Sequence, residues 1–215
     1  MRTMLNMPFL EGDTILFQGD SVTDCDRDRS DHYSLGSGYP ALIAAYLGSH
    51  FPHLQLSILN RGVSGDRVYD LASRWETDCL QLRPNWLSIL VGINDTWRRF
   101  DSGITSPIAE FEATYRRFLD QAAEHTQARL ILCEPFVLGF PPDRLNWRVD
   151  LNPRIEVVRQ LAAEYSALLV PLDGIFAAAC TQAEPAFWAA DGVHPTLAGH
   201  GLIANAWLEA VSRWG

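Results

Sequence analysis

The sequence predicts an α/β protein: a single domain, residues 1–215, folded as a three-layer α/β/α sandwich around a parallel sheet. Three observations carry this expectation. Short apolar runs alternate along the chain with helix-length amphipathic stretches. The runs are apolar throughout rather than at every second residue, which suits strands covered on both faces. Each run also ends on a loop signal, and strand–helix alternation with right-handed crossovers produces a parallel sheet between helix layers.

The strand candidates, in order, are Thr14 to Phe17, Leu54 to Leu59, Trp86 to Val91, Arg129 to Cys133 and Leu168 to Leu172, all rich in Ile, Leu and Val. They run into Gly19, Asn60-Arg61-Gly62, Gly92, Pro135 and Asp173-Gly174, residues that break regular structure. Between them, Tyr39 to Leu47 is compact and Ala-rich, and Val68 to Leu82 repeats apolar residues at helical spacing. Ser106-Pro107 reads as an N-cap followed by a first-turn proline, after which Ile108, Phe111, Tyr115, Phe118 and Ala122 trace one face. Pro153 to Ser166 and Pro195 to Trp214 complete the helices. No internal repeat, low-complexity tract or linker divides the chain.

Composition narrows the function. The net charge of −9 argues against nucleic acid or an anionic membrane as partner, and a neutral small substrate suits it better. No stretch is long and apolar enough to span a bilayer, and Met1 to Glu11 does not resemble a secretory signal. Cys25, Cys79, Cys133 and Cys180 are widely spaced, a pattern of free thiols in a reducing compartment, so a cytoplasmic location is expected. All 17 basic residues other than histidine are arginine. Schiff-base chemistry, a Ser-Lys dyad and a P-loop all need the lysine that is absent.

In a parallel sheet ligands bind at the carboxyl ends of the strands, and three polar motifs fall there. Ser21 follows the first strand in Gly19-Asp20-Ser21, Gly62 to Asp66 follow the second, and Gly92 to Asp95 follow the third. A serine in such a turn often does no more than bond its own backbone. Near the other end, Asp191 and His194 stand three apart around a glycine, so one turn could present both. A serine hydroxyl becomes a competent nucleophile when a histidine takes its proton and a carboxylate orients that histidine. Ser21, His194 and Asp191 supply these three groups. The glycine-rich loop Asn60 to Asp66 offers backbone N–H donors to a developing oxyanion, and Asn94 a side-chain amide; each also reads as a plain turn or cap. His32, His50, His53, His125 and His200 read as surface or capping residues. Asp191 and His194 lack further ligands at metal spacing, so neither a metal nor another cofactor is expected.

Gly19-Asp20-Ser21, Gly65, Gly92-x-Asn94-Asp95 and Asp191-x-x-His194 resemble, in order and type, the four sequence blocks of the SGNH hydrolases within the GDSL esterase/lipase superfamily. That resemblance runs from residue 17 to residue 200 and implies a flavodoxin-like sandwich with a five-stranded parallel sheet. It also implies Ser21 as nucleophile, His194 as base, Asp191 as its orienting acid, and an oxyanion hole of the Ser21 and Gly65 N–H groups with the Asn94 side chain. Asp24 would brace the loop. Within the superfamily, Gly19 to Cys25, Asn94-Asp95-x-Trp97-Arg98 and Trp188 resemble the intracellular acetylxylan esterases. This wording implies deacetylation of xylo-oligosaccharides by a homo-oligomer, with Trp97 and Trp188 as candidates for a sugar-stacking or acyl-limiting wall and ordinary packing as their alternative. The same triad would equally serve a lysophospholipase, thioesterase or arylesterase. A non-catalytic flavodoxin-like binding module is the reading outside enzymes.

Overall fold

The computed structural model describes residues 6–214, in which five strands pair in parallel in the order β2-β1-β3-β4-β5. They are β1 (Thr14–Gly19), β2 (Ser57–Asn60), β3 (Trp86–Leu90), β4 (Arg129–Cys133) and β5 (Leu168–Val170). Phe17 of β1 stands opposite Asn60 on one side and Ser88 on the other. This is the flavodoxin-like order, which reverses direction at β1 and opens a crevice beyond its carboxyl end. The helices are α1 (Ser21–Asp24), α2 (Tyr39–His50), α3 (Val68–Ser73), α4 (Trp75–Asp78), α5 (Ile93–Ser102), α6 (Ile108–His125), α7 (Arg148–Glu164), α8 (Leu172–Ala179), α9 (Pro185–Trp188) and α10 (Leu197–Ser212). The reading of Met1 to Glu11 as free of a secretory signal lies partly outside the described residues.

Successive strand residues divide between two cores, which is why the runs are apolar throughout. Ile15, Phe17, Trp86, Leu90, Ile131 and Cys133 pack with α2, α8 and α10 through residues such as Ile43, Phe176 and Trp207. Leu16, Leu87, Ile89, Leu130 and Leu132 pack on the opposite face with α3, α4, α6 and α7 through Leu71, Trp75, Phe118 and Val158. Strand side chains alternate between faces, so a strand covered by helices on both sides needs apolar residues at every position.

Several boundaries differ from expectation for local reasons. β2 starts at Ser57, because Pro52–Leu54 wind a 3-10 turn and Gln55 takes a left-handed conformation (φ 48°) before the strand. β5 ends at Val170, and Leu172 already opens α8. The expected helix Val68 to Leu82 is three pieces: α3, α4 and a 3-10 turn at Leu80–Leu82, with Arg74 at the first break. Ser106 does not cap α6; its hydroxyl donates to Asp95 Oδ1 at 2.8 Å. α7 starts at Arg148 and carries Pro153 inside it. α10 starts at Leu197, capped by the Thr196 side chain accepting from Gly199 N, while Pro195 bridges to Ala189. Residues Ile93–Ser102, read only as a loop motif, form a helix entered through Gly92 at φ 132°.

Candidate active site

The first component is the turn that ends β1. Asp20 caps α1 by accepting from Val22 N at 3.0 Å, which places Ser21 at the first helical position. Backbone N–H groups there have no partner inside the helix and remain available to a ligand. Asp20 is buried, and that burial pushes its carboxyl up to about 7.

The second component arrives from the far end of the chain. His194 Nε2 lies 2.9 Å from Ser21 Oγ, and His194 Nδ1 lies 2.7 Å from Asp191 Oδ2. The carboxylate can only accept, so Nδ1 carries the proton and Nε2 presents its lone pair to the serine hydroxyl. Asp191 is held in turn: its Oδ1 accepts from the backbone N–H groups of Val193 (3.0 Å) and His194 (2.7 Å). Gly192, at φ 83°, lets the turn lie against the 138–140 segment, where any Cβ would meet the Leu138 and Phe140 carbonyls. The hydrogen bond that His194 donates to Asp191 raises the imidazole above its ordinary range against the opposing effect of burial. Burial pushes Asp191 the other way, but the three hydrogen bonds from His194 and Val193 outweigh it and hold this carboxyl far below the usual range.

The third component is the loop after β2. Asn60 accepts from Gly62 N at 2.8 Å and donates to the carbonyls of Thr23 (2.7 Å) and Leu35 (2.9 Å). Asp24 accepts from Ser64 N at 2.8 Å and pairs with Arg29, so it braces this loop against the Ser21 turn. Gly62 sits so close to the Thr23–Asp24 backbone that a side chain there would collide with Asp24 N. Gly65 follows at φ 90°, with open space on the side where a Cβ would project.

The fourth is the start of α5. Asn94 is buried, and its Nδ2 donates to Asp66 O at 3.0 Å, which ties the amide to the same loop and leaves its second hydrogen. Asp95 accepts from Val68 N and Ser106 Oγ, locking α3 and the α5–α6 connection together, and burial pushes its carboxyl up to about 6. Beside the Ser21–His194 pair opens a cleft of about 560 Å3, lined by Asp24, Arg27, Ser64 and His200 among others.

The two tryptophans part company. The Trp97 ring centroid is 5.6 Å from that of His194, so Trp97 flanks the site. Trp188 does not line the cleft: its indole N–H donates to Ala179 O at 3.1 Å and its ring packs against the α2–α8–α10 core. His200, read as a surface or capping residue, is instead buried. Its Nδ1 accepts from Tyr39 N at 3.2 Å, so its Nε2–H faces Cys25 Sγ at 3.3 Å, and burial lowers its imidazole to about 4. The signal lay in α10, where His200 shares the buried stripe of Ile203, Ala204 and Trp207. Arg74 escaped notice because a lone arginine in a helical stretch carries no local mark. Its guanidinium lies within hydrogen-bond distance of Asp66, Asp78 and Gln18 side chains and of the Gly19 and Arg61 carbonyls. Among the described residues no group of three or more His, Cys, Asp and Glu is placed to hold a metal ion.

A serine, a histidine and an aspartate hydrogen-bonded in line at the carboxyl edge of a flavodoxin-like sheet define the class of serine-type hydrolases. The GDSL-like lipase/acylhydrolase family matches residues 17–202, and the chain belongs to that family. An acetylxylan esterase of Geobacillus stearothermophilus is 34% identical over 208 residues, covering 93% of this chain and 94% of that protein. Among solved structures, a Parabacteroides merdae protein described as a GDSL-like lipase superposes with a TM-score of 0.92 at 37% identity, covering 96% and 98% of the two chains. An α/β hydrolase from the metagenome of Lake Arreo, Spain, superposes with a TM-score of 0.89 at 34% identity, covering 98% and 100%. The protein is a carboxylic ester hydrolase.

Proposed function

We propose that this esterase removes acetyl groups from acetylated sugars, xylo-oligosaccharides or their relatives, through an acyl-enzyme on Ser21. The observation that carries the reading is the in-line chain Ser21 Oγ to His194 Nε2 (2.9 Å) and His194 Nδ1 to Asp191 Oδ2 (2.7 Å). In this mechanism Ser21 Oγ attacks the acetyl carbonyl carbon as its proton passes to His194 Nε2. The N–H groups of Ser21 and Gly65 and the Asn94 amide receive the negative oxygen. His194 then returns the proton to the departing sugar oxygen, and a water activated by the same nitrogen releases acetate. The polar lining of the cleft, with Asp24, Arg27 and Arg29, favours a hydroxyl-rich leaving group over a lipid tail. The likeness to an acetylxylan esterase over nearly the whole chain supports the same substrate class.

Fluorophosphonate labelling and acetate release test the reading together. The expected result is labelling that disappears in Ser21→Ala, with release from acetylated xylo-oligosaccharides exceeding that from lysolipids. Faster turnover of octanoyl than acetyl p-nitrophenyl ester would favour the lipid esterases, and folded protein that takes no label would leave only the binding module. Asn94→Ala is expected to lower kcat by roughly 10²–10³-fold, the cost of one oxyanion donor. A loss of only a few-fold would remove Asn94 from that role. The base must be neutral to accept the serine proton, and Asp191 raises its pKa. The acid limb of kcat/KM is therefore expected to have its midpoint above 6.5, the ordinary histidine value. A midpoint below that would point to another base.

A cytoplasmic location and a homo-oligomer belong to the same proposal. The four cysteines are all free thiols, which supports the first. Leu145 and Val149, exposed one helical turn apart, support the second, and sedimentation velocity would measure the subunit number. No helix among the described residues is long and apolar enough to cross a membrane.

A further inference from the structure

The Asp191–His194 turn lies outside any helix or strand; besides the bonds that the Asp191 carboxylate accepts from the turn's own backbone, two contacts from the 138–144 segment hold it. One support is backbone: Leu138 N donates to Gly192 O at 2.8 Å. The other is Arg144, in the 3-10 turn Pro142–Trp147, whose Nε donates to Asp191 O at 3.2 Å. The Arg144 guanidinium carbon stands 4.3 Å from the centre of the Trp147 ring and 5.5 Å from that of Trp97. Both distances are within cation–π range. Its Cγ also lies where a Cβ on Gly192 would touch it, at 3.3 Å. The side chain is only 17% exposed, so this is a packed guanidinium rather than a surface one.

These contacts close a ring. Arg144 bonds the backbone of Asp191, Asp191 bonds His194, the His194 ring packs on Trp97 with centroids 5.6 Å apart, and Trp97 packs back on Arg144. We propose that Arg144 is a positioning residue for the hydrolytic reaction: by fixing the Asp191 carbonyl and the Trp97 ring together, it holds the His194 imidazole in line with both Asp191 and Ser21. The inference rests on the reading of Ser21, His194 and Asp191 as the reacting triad. Among the described residues the Arg144 side chain hydrogen-bonds the Asp191 backbone and the carboxylate of its neighbour Asp143, at 2.9 Å. It acts on the chemistry through the turn, and a side-chain change here would alter the orientation of His194 while removing none of the reacting groups.

An arginine offers this position three things at once: a planar cation for two indole faces, an N–H directed at a carbonyl, and a stem that packs on the glycine. Methionine keeps much of the stem and loses the rest, whereas lysine keeps the charge but not the planar fork. Small displacements of catalytic groups are costly, since about 1 Å of misplacement can slow a reaction by 10²-fold. Arg144→Met and Arg144→Lys are both expected to lower kcat by about 10- to 100-fold with KM within two-fold of wild type. The titratable and charged groups facing His194 are Asp191, the buried Asp20 and His200, with Asp24, Asp26, Arg27 and Arg29 across the same cleft, all unchanged in both variants, and the Arg144 charge is already paired with Asp143. Loosening the Asp191 hydrogen bond should therefore move the His194 titration, followed by NMR, down toward the ordinary histidine value in both variants.

The measurements are kcat and KM on p-nitrophenyl acetate, the rate of fluorophosphonate labelling, the His194 titration, and circular dichroism to establish folding. Wild-type kcat and labelling rate in either folded variant would overturn the inference. So would a His194 titration that rises in Arg144→Met and stays put in Arg144→Lys, because that pattern belongs to charge alone. If Arg144→Met does not fold, Arg144→Lys carries the test. Wild-type protein that neither turns over ester nor takes label would instead overturn the triad reading itself, so the two failures are distinguishable.

Discussion

Replacing His194 with alanine is expected to lower kcat by roughly 10⁴- to 10⁶-fold while leaving the protein folded, the scale seen when one member of a cooperating triad is removed. The physical reason lies in the pair of distances on either side of the ring. Ser21 Oγ has one nitrogen acceptor, His194 Nε2 at 2.9 Å, and Asp191 already fixes the tautomer that makes this nitrogen a lone pair. No second imidazole can substitute. His200 is near enough to line the same cleft, but its Nδ1 accepts from Tyr39 N and its Nε2–H is turned to Cys25. The His194 side chain is 46% exposed, so its truncation removes little packing and thermal unfolding should shift little. Single-turnover acetate release and a melting curve on the same preparation check both halves. A fall in kcat of less than 10²-fold would mean that another group serves as base.

Arg74→Met is expected to show the reverse pattern, a large loss of stability of about 3–5 kcal/mol, the usual cost of breaking a buried ion pair from one side. Arg74 and its partner Asp66 are only 16% and 11% exposed, so water cannot replace the lost bonds freely. Burial already pushes Asp66 above the ordinary carboxyl range despite its hydrogen bond from Arg74. The pair is thus no strong net gain over an apolar core, yet removing one member strands the other. The same guanidinium reaches the Gly19 carbonyl at the end of β1 and the Arg61 carbonyl just past β2, the two points from which the Ser21 turn and the Gly65 loop depart. Its loss should therefore also lower kcat in whatever fraction stays folded. Urea unfolding monitored by circular dichroism measures the first effect. A change below 1 kcal/mol would show that solvent or neighbouring side chains fill the gap.

The differing fates of these two residues show which parts of the protein were legible in its sequence. The five strands could be read because a strand covered on both faces has a local signature, continuous apolar residues ending at a turn former, and each predicted run overlaps an observed strand. Helix boundaries were less legible where a side chain, rather than a propensity, sets them. The Val68 to Leu82 stretch has helical periodicity throughout, yet it breaks at Arg74, which bonds to the strand ends below it. The α5 helix was missed because Gly92 and Asn94 look like turn residues; here they begin a helix, with Asn94 anchored to Asp66 O. Trp188 stands just before the Asp-x-x-His turn, but sequence proximity says nothing about direction, and its half-buried ring packs against the α2–α8–α10 core.

The sequence alone determined the α/β class, the five apolar runs and the residue types from which the site is assembled, because these depend on composition and spacing within a few residues. Only the tertiary structure decided that Ser21 and His194, 173 positions apart, meet at 2.9 Å. It alone turned His200 inward, sent Trp188 away from the cleft, and made braces of Arg74 and Arg144. Those outcomes depend on which side chains the packed layers bring face to face. That proximity is set by the fold as a whole, and no local stretch of sequence encodes it.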